Sequence, residues 1–137
     1  MRNLAAYFGD PQESFKSIHI AGTNGKGSVS IKTARALAAL GYRTGLYTSP
    51  HISTVRERMQ VFDYKSGKDP QLISKEDFVK WADQVWEALE SDKVHERLSF
   101  FSILTMMAFL EFRHQKCEYV VLECGLGGRL DATNIVT

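Results

Sequence analysis

The chain has 137 residues and a mass of 15.5 kDa, which suffices for one domain with a sizeable core but not for two ordinary domains. A hydrophobic fraction of 44% and a charged fraction of 24% are typical of a globular protein and exclude a disordered one. The 17 basic residues nearly balance the 16 acidic ones, which argues against a nucleic-acid partner. A phosphate site remains open, because such a site uses backbone dipoles rather than bulk charge.

Cysteine usage and apolar runs indicate the compartment. Cys117 and Cys124 form neither a CxxC pair nor a zinc pattern, so we interpret them as buried thiols in a reducing compartment. The N-terminus has no apolar run long enough for a signal peptide. The most apolar stretch, residues 100–110, is shorter than the roughly 20 residues of a membrane span. We expect a cytoplasmic protein that has no membrane partner.

The first half of the chain predicts two strands and a helix. A short strand at residues 17–21 runs into a glycine-rich turn, and a helix follows that ends at Gly41. A second strand is predicted at residues 44–48, and a small strand within residues 57–62. The predicted apolar face of the helix consists of Val29, Thr33, Ala36, Leu37 and Leu40.

The second half predicts two helices and a strand. Ser74 has the character of an N-cap, and the helix after it repeats apolar residues at helical spacing, Trp81 and Trp86 being interpreted as core. A helix at residues 99–114 is apolar nearly all round, which predicts burial on most sides. The run at residues 119–122 is typical of a strand buried on both faces. This alternation predicts an α/β fold with a parallel sheet flanked by helices, and ligands bind such sheets at the carboxyl ends of the strands.

The glycine-rich turn is a candidate phosphate loop. It lies between a predicted strand and a predicted helix, where converging backbone N–H groups and the helix dipole favour an anion. Lys26 would reach the β- and γ-phosphates of a nucleotide. The strict Walker pattern is not met, because Ile20 stands at its first glycine and Gly27 follows the lysine. The alternative is a turn without a ligand. The loop residues are Gly22, Thr23, Asn24, Gly25, Lys26, Gly27 and Ser28.

Two further groups are predicted at the same edge of the sheet. Glu123 directly follows an apolar strand, where a carboxylate can hold Mg²⁺, although it could also be an ordinary acidic residue at a turn. Ser49 follows the second strand and could be a metal or phosphate ligand. His51 could contact a substrate, but a lone loop histidine is more often inert.

Other polar residues leave alternatives open. The cluster Arg56-Glu57-Arg58 is either a solvated turn or a clamp for an anionic substrate, because arginine matches carboxylate and phosphate geometry. We interpret His19, His95 and His114 as structural or solvent-facing.

Four blocks of sequence together resemble the folylpolyglutamate synthase/dihydrofolate synthase family of Mur-type amide ligases. They are FGDPQ with IHIAGTNGKGS, GLYTSPHI with ERMQV, LSFFSILTMMAF, and VVLECGLGGRLDATNIV. GTNGK alone is shared with peptidoglycan ligases, whereas TSPH and ECGLGGRLDATN are more specific. The resemblance covers nearly the whole chain, in order.

The resemblance implies an ATP-dependent ligase that phosphorylates the carboxylate of dihydropteroate or of a folate's glutamate tail. L-glutamate then attacks the acyl phosphate. Lys26 and Glu123 would be the catalytic residues, and Ser49 and Glu123 match the family's Mg²⁺ ligands. Two segments match the lining of its pterin pocket, to which His51 could add a contact. Their residues are Ser99, Phe100, Phe101, Ser102, Leu130, Asp131 and Ala132.

The sequence also departs from the family pattern. Ser102 stands where a glutamate is usual, Arg56 replaces an asparagine, and Asp10 replaces a frequent asparagine. The chain ends at Thr137, where the family's ATPase domain would continue, so residues 1–137 resemble the N-terminal part of that domain without the glutamate-binding C-terminal domain. We expect the fragment to bind nucleotide but to be inactive alone, and the full-length enzyme to be a monomer. The alternatives are a non-catalytic nucleotide-binding module and, less well supported, a peptidoglycan-type ligase.

Overall fold

The computed structural model describes residues 1–67, 69–91, 93–94 and 96–136. The helices are α1 (Arg2–Tyr7), α2 (Lys26–Ala39), α3 (Lys75–Glu90) and α4 (Phe100–His114). The strands are β1 (Lys16–Ile20), β2 (Thr44–Tyr47), β3 (Met59–Phe62), β4 (Gln71–Leu72) and β5 (Tyr119–Glu123). Each predicted strand and helix is present, and α1 and β4 are additional. His95 lies outside the described residues.

The five strands form one mixed sheet in the order β1-β5-β2-β3-β4. β5 lies between β1 and β2 and is parallel to both, whereas β3 pairs antiparallel with β2, and β4 antiparallel with β3. The α/β fold is confirmed, but a purely parallel sheet is wrong for β3 and β4. A parallel pair needs a long crossover, usually a helix, and residues 48–58 between β2 and β3 contain only the short 3₁₀ helix Val55–Arg58.

Helix α2 covers one face of the sheet with small residues. Ala34 and Ala38 pack there against Leu46, Phe62 and Val121. The predicted apolar face of α2 is wrong for Val29, which is 51% exposed, and for Leu40, which is 75% exposed, whereas Leu37 of that face does pack against this cluster. Ser30, Ala34 and Ala38 satisfy the same helical spacing, and their small side chains let the helix approach the sheet closely.

On the opposite face of the sheet, α4 packs on β2 and β3, α3 packs on α4, and α1 packs on α3. Ser74 caps α3 as predicted, its Oγ accepting a hydrogen bond from the Asp77 amide at 2.9 Å. Trp81 is buried and donates to the Glu111 carboxylate at 2.7 Å. The prediction that Trp86 belongs to the core is wrong, because Trp86 is 60% exposed and donates to Glu90 on the same helix.

Helix α4 is the central helix of this second layer. All nine residues of its segment 104–112 are buried, as the apolar run predicts. Gly45 of β2 makes room for it, since a Cβ at Gly45 would lie 2.6 Å from a ring carbon of Phe112. Within the described ranges, no helix combines the length and the apolar character needed to cross a membrane.

Candidate functional site

The carboxyl ends of β1, β5 and β2 meet at one edge of the sheet. Ile20 pairs in register with Glu123, and Tyr47 pairs with Leu122. The segments that follow these strands therefore share the edge, including the glycine-rich loop and residues 48–51. The last residue of β5 and the residues after it, 123–128, lie between the other two segments.

The glycine-rich loop leads directly into α2. Gly25 precedes the helix with φ 76°, a left-handed conformation that glycine adopts without strain. The Lys26 ammonium donates to the Gly22 carbonyl at 3.0 Å, so it lies back over its own loop. Thr23, Asn24 and Ser28 are exposed.

A cleft of about 430 Å³ lies between this loop and the segment that follows β5. The structure thus brings together the two glycine-rich motifs of the sequence. The cleft is lined by Ala21, Gly22, Thr23, Lys26, Cys124, Gly125, Leu126 and Gly127.

Glu123 lies beneath the loop and is only 5% exposed. Its carboxylate accepts a hydrogen bond from the Ser49 amide at 2.9 Å, and a Cβ at Gly27 would lie 3.5 Å from its Oε1 atom. No lysine or arginine of the described residues lies within 4.0 Å of this carboxylate. A buried carboxylate without a cationic partner, bonded to the amide of a serine whose hydroxyl is a further oxygen ligand, is a donor set that fits Mg²⁺.

On the α4 side of the same edge, the ring of Phe101 lies against Gly125. The rings of Tyr47 and Phe101 lie 5.8 Å apart between centroids. A Cβ at Gly125 would lie 2.7 Å from Phe101 Cζ and 3.1 Å from Asp131 Oδ2, so only glycine fits there. Burial raises the pKa of Tyr47 to about 12, although Thr105 and Arg58 act to lower it.

The segment Ser99–Ser102 forms the start of α4. Ser99 is its N-cap and accepts from the Ser102 amide at 3.1 Å, and the two hydroxyls lie 3.0 Å apart. Both serines are therefore already used in capping the helix. Phe100 is 63% exposed, whereas Phe101 is half-buried.

Asp131 is engaged in shaping the segment after β5. Its Oδ2 accepts from the Leu126 amide at 2.8 Å, and its Oδ1 accepts from the Thr133 amide at 3.0 Å. Burial alone would raise the pKa of Asp131, but hydrogen bonds from Thr133 and Leu126 outweigh it and hold the pKa below its usual range. Ala132 is half-buried and Leu130 is 92% exposed.

His19 connects β1 to this segment, which the sequence interpretation missed. Its Nε2 lies 2.7 Å from Thr133 Oγ1, which in turn donates to Asp131 at 2.5 Å. Potential ligand atoms of His19, Cys124 and Asp131 lie within 4.8 Å of one another. One signal was available: Ile18 and Ile20 alternate with His19, which puts the histidine on the sheet face opposite α2.

The segment after Ser49 is held by the Arg56-Glu57-Arg58 cluster. The Glu57 carboxylate accepts from the amides of residues 52–54, and these bonds, that from Ile52 above all, hold the pKa of Glu57 below its usual range. Arg56 donates to the Ile73 carbonyl at 2.9 Å. Arg58 donates from Nε to His51 Nδ1 at 3.0 Å. All three residues are therefore engaged with the protein, unlike those of a freely solvated turn.

Comparison with known proteins gives relatives along nearly the whole chain. A scan of protein-family models finds no match. The chain is 41% identical over 137 residues to dihydrofolate synthase/folylpolyglutamate synthase of Mycobacterium tuberculosis, covering 97% of this chain and 28% of that protein. It is 39% identical over 130 residues to folylpolyglutamate synthase of Arabidopsis thaliana, covering 93% of this chain and 20% of that protein.

Solved structures agree with these relatives. The crystal structure of folylpolyglutamate synthase of Thermotoga maritima matches this chain with a TM-score of 0.87 and 46% identity. The match covers 98% of this chain and 31% of that one. The chain is homologous to part of a folylpolyglutamate/dihydrofolate synthase. A bifunctional enzyme of this kind, solved with Mn, AMPPNP and L-glutamate bound, matches with a TM-score of 0.81, 34% identity and 98% of this chain covered.

The predicted family resemblance is thereby confirmed. The chain spans between 20% and 31% of the length of these relatives. The Mycobacterium tuberculosis folylpolyglutamate synthase solved with ADP and AMPPCP also matches, with a TM-score of 0.85, 38% identity, and 98% of this chain and 30% of that one covered.

Proposed function

We propose that residues 1–137 form part of the ATP-binding domain of a folylpolyglutamate/dihydrofolate synthase. This cytoplasmic enzyme would use ATP and Mg²⁺ to add L-glutamate to dihydropteroate or a folate. The observation that supports this most strongly is the buried Glu123 carboxylate, which lies beside the glycine-rich loop and accepts the Ser49 amide at 2.9 Å. Relatives solved with ADP, AMPPCP, and Mn with AMPPNP support a nucleotide and a divalent cation as ligands.

The glycine-rich loop would bind the nucleotide phosphates. The amides of residues 22–28 and the start of α2 favour an anion, and Lys26 would exchange its bond to the Gly22 carbonyl for the phosphates. Glu123 and Ser49 would hold Mg²⁺, which when bound neutralises phosphate charge. The protein thus contributes positioning and electrostatic stabilisation, which phosphoryl transfer requires most.

The α4 side of the edge would bind the acyl substrate. A flat heterocycle suits the rings of Phe100 and Phe101, with Leu130 and Ala132 as further apolar surface. A carboxylate oxygen of this acyl substrate would attack the γ-phosphorus of ATP and release ADP. The amine of L-glutamate would then attack the acyl carbon, so that an amide forms and phosphate leaves.

This proposal does not assign substrate contacts to the side chains of Ser99, Ser102 and Asp131. Their side chains already hold the α4 start and the segment after β5, so they would shape the pocket rather than bind the substrate. His51 would lie at its border, fixed by Arg58.

The experiment that tests the proposal is calorimetric titration of the chain with Mg-ATP, dihydropteroate and a UDP-sugar. We expect binding of Mg-ATP and dihydropteroate and none of the UDP-sugar. Binding of the UDP-sugar instead would favour a peptidoglycan-type ligase. Binding of Mg-ATP alone would favour a nucleotide-binding module without catalysis.

A further inference from the structure

Arg58 is a buried cation without an anionic partner. The residue is only 9% exposed, and its Nε donates to His51 Nδ1 at 3.0 Å. Within the described part of the chain, no carboxylate lies within 4.0 Å of its guanidinium. Arg43, by contrast, has an anionic partner, since its guanidinium forms an ion pair with the Asp63 carboxylate at 2.8 Å.

Two acidic residues that could offset the charge of Arg58, Glu57 and Asp131, are already engaged in other hydrogen bonds. Glu57, its neighbour in sequence, accepts hydrogen bonds from the amides of Ile52, Ser53 and Thr54. Asp131 acts to raise the pKa of Tyr47, which Arg58 acts to lower. The Asp131 carboxylate accepts hydrogen bonds from the amides of Leu126 and Thr133. A guanidinium stays protonated at any physiological pH, so its burial without a partner is costly and favours binding of an external anion.

The backbone places Arg58 at the edge where the two proposed substrates would meet. The Thr48 amide donates to the Arg58 carbonyl at 3.1 Å, one residue before the proposed metal ligand Ser49. The Arg58 side chain acts to lower the pKa of the Tyr47 hydroxyl. The Tyr47 ring packs on Phe101 on the α4 side of the sheet. Glu123, by contrast, lies against Gly27 of α2. Arg58 therefore lies on the side of the proposed acyl substrate.

We propose that Arg58 binds the carboxylate of the acyl substrate, the group that receives the γ-phosphoryl. The planar guanidinium fork matches a carboxylate, and its Nε bond to His51 fixes the orientation of the fork. With Nδ1 of His51 accepting that bond, the proton of a neutral His51 lies on Nε2. This inference rests on the proposed function, since it identifies which group of the proposed substrate the site recognises.

The test compares dihydropteroate with an analogue that carries hydrogen in place of the carboxylate. We expect Arg58→Gln to weaken dihydropteroate binding about ten- to a hundredfold, as for loss of a charge-assisted hydrogen bond. Its affinity for the carboxylate-free analogue and for Mg-ATP should stay unchanged. Arg58→Lys, which keeps the charge but loses the fork, should fall between wild type and Arg58→Gln. Arg56→Gln, two residues away and bonded to a protein carbonyl, is the matched control and should bind dihydropteroate like wild type.

Thermal unfolding without ligand separates binding from a structural role. Removing an unpaired buried charge should leave the melting temperature of Arg58→Gln unchanged or higher. A large fall in melting temperature would assign Arg58 to the fold and overturn the inference. Equal loss of affinity for the carboxylate-free analogue, or weaker binding of Mg-ATP instead, would also overturn it. If wild type binds Mg-ATP but not dihydropteroate, the proposed substrate is wrong and the inference fails with it. If wild type binds dihydropteroate and Arg58→Gln binds it as tightly, only the inference fails.

Discussion

Lys26 illustrates how one residue of the loop can serve two bonding states. Its ammonium donates to the Gly22 carbonyl at 3.0 Å, which is a neutral acceptor. A bound phosphate would offer a charged oxygen in its place, and hydrogen bonds to charged acceptors are stronger. Lys26→Ala should therefore weaken Mg-ATP binding by roughly 1.5–3 kcal/mol, or about ten- to a hundredfold, as measured by calorimetric titration. Lys32→Ala, an exposed lysine of the same helix, should bind like wild type. Equal affinity of the Lys26→Ala variant and wild type would contradict the phosphate-loop assignment.

Glu123 is the residue on which the metal assignment depends. Glu123→Gln keeps the size of the side chain and an oxygen for the Ser49 amide, but removes the charge that a divalent cation requires. The gain in ATP affinity on adding Mg²⁺ should shrink by at least tenfold in this variant, while the melting temperature changes little. Titrations with and without Mg²⁺ measure this gain. Glu118→Gln, just before the same strand, is the control, and a full Mg²⁺ effect in Glu123→Gln would refute the metal role.

Which residues reach the site could be predicted only in part. The strand–loop–helix order identifies residues 22–28, Ser49 and Glu123, because the carboxyl ends of parallel strands meet at one edge. The bond between His19 and Thr133 could not be predicted in this way, since 114 residues separate the two. Likewise, composition gives no sign that Arg58 is buried, because its burial depends on the packing of Tyr47 and the segment around His51.

At the scale of elements, the contact between β2 and α4 limits how closely the layers approach. Gly45→Ala should lower the free energy of unfolding by about 1–3 kcal/mol, because the added Cβ would lie 2.6 Å from the fully buried Phe112 ring. Denaturant unfolding measures this change. In a Phe112→Leu background the same substitution should cost less than half as much, since the ring atoms it meets are gone. Equal costs in both backgrounds would show that Phe112 is not the obstacle.

The elements themselves were more predictable than their arrangement. Strands β1, β2 and β5 and helices α2, α3 and α4 follow from apolar runs, glycine punctuation and caps such as Ser74. The face of α2 followed only in part, because two sets of residues satisfy helical spacing. The fully buried contacts to the sheet come from the small set, Ala34 and Ala38, and of the larger predicted set Leu37 packs there. Helix α1 was missed because it is short, and its burial of Leu4 and Ala5 depends on tertiary contacts.

At the scale of the whole molecule, the sheet edge divides into two sides with different chemistry. Glu123 and the glycine-rich loop lie toward α2, and Tyr47, Phe101 and Gly125 lie toward α4. Ser49 connects the two sides through its amide bond to Glu123. A nucleotide bound on one side and an acyl substrate on the other would thus meet at residues 48–51.

A polypeptide of these 137 residues alone should bind Mg-ATP without forming the glutamyl amide. Ligation requires an acyl phosphate and an attacking amine held in line, and this positioning can account for roughly 7–11 kcal/mol of barrier lowering. The family resemblance implies a glutamate site in a later domain, and the chain spans 20% to 31% of its relatives. An assay with ATP, Mg²⁺, dihydropteroate and L-glutamate should therefore yield neither ADP nor amide above background, while titration still detects nucleotide. Turnover near 1 s⁻¹, the low end of ordinary enzyme rates, would show that the amine site lies within these residues. Release of ADP without amide would instead show that these residues complete phosphoryl transfer and lack only the amine site.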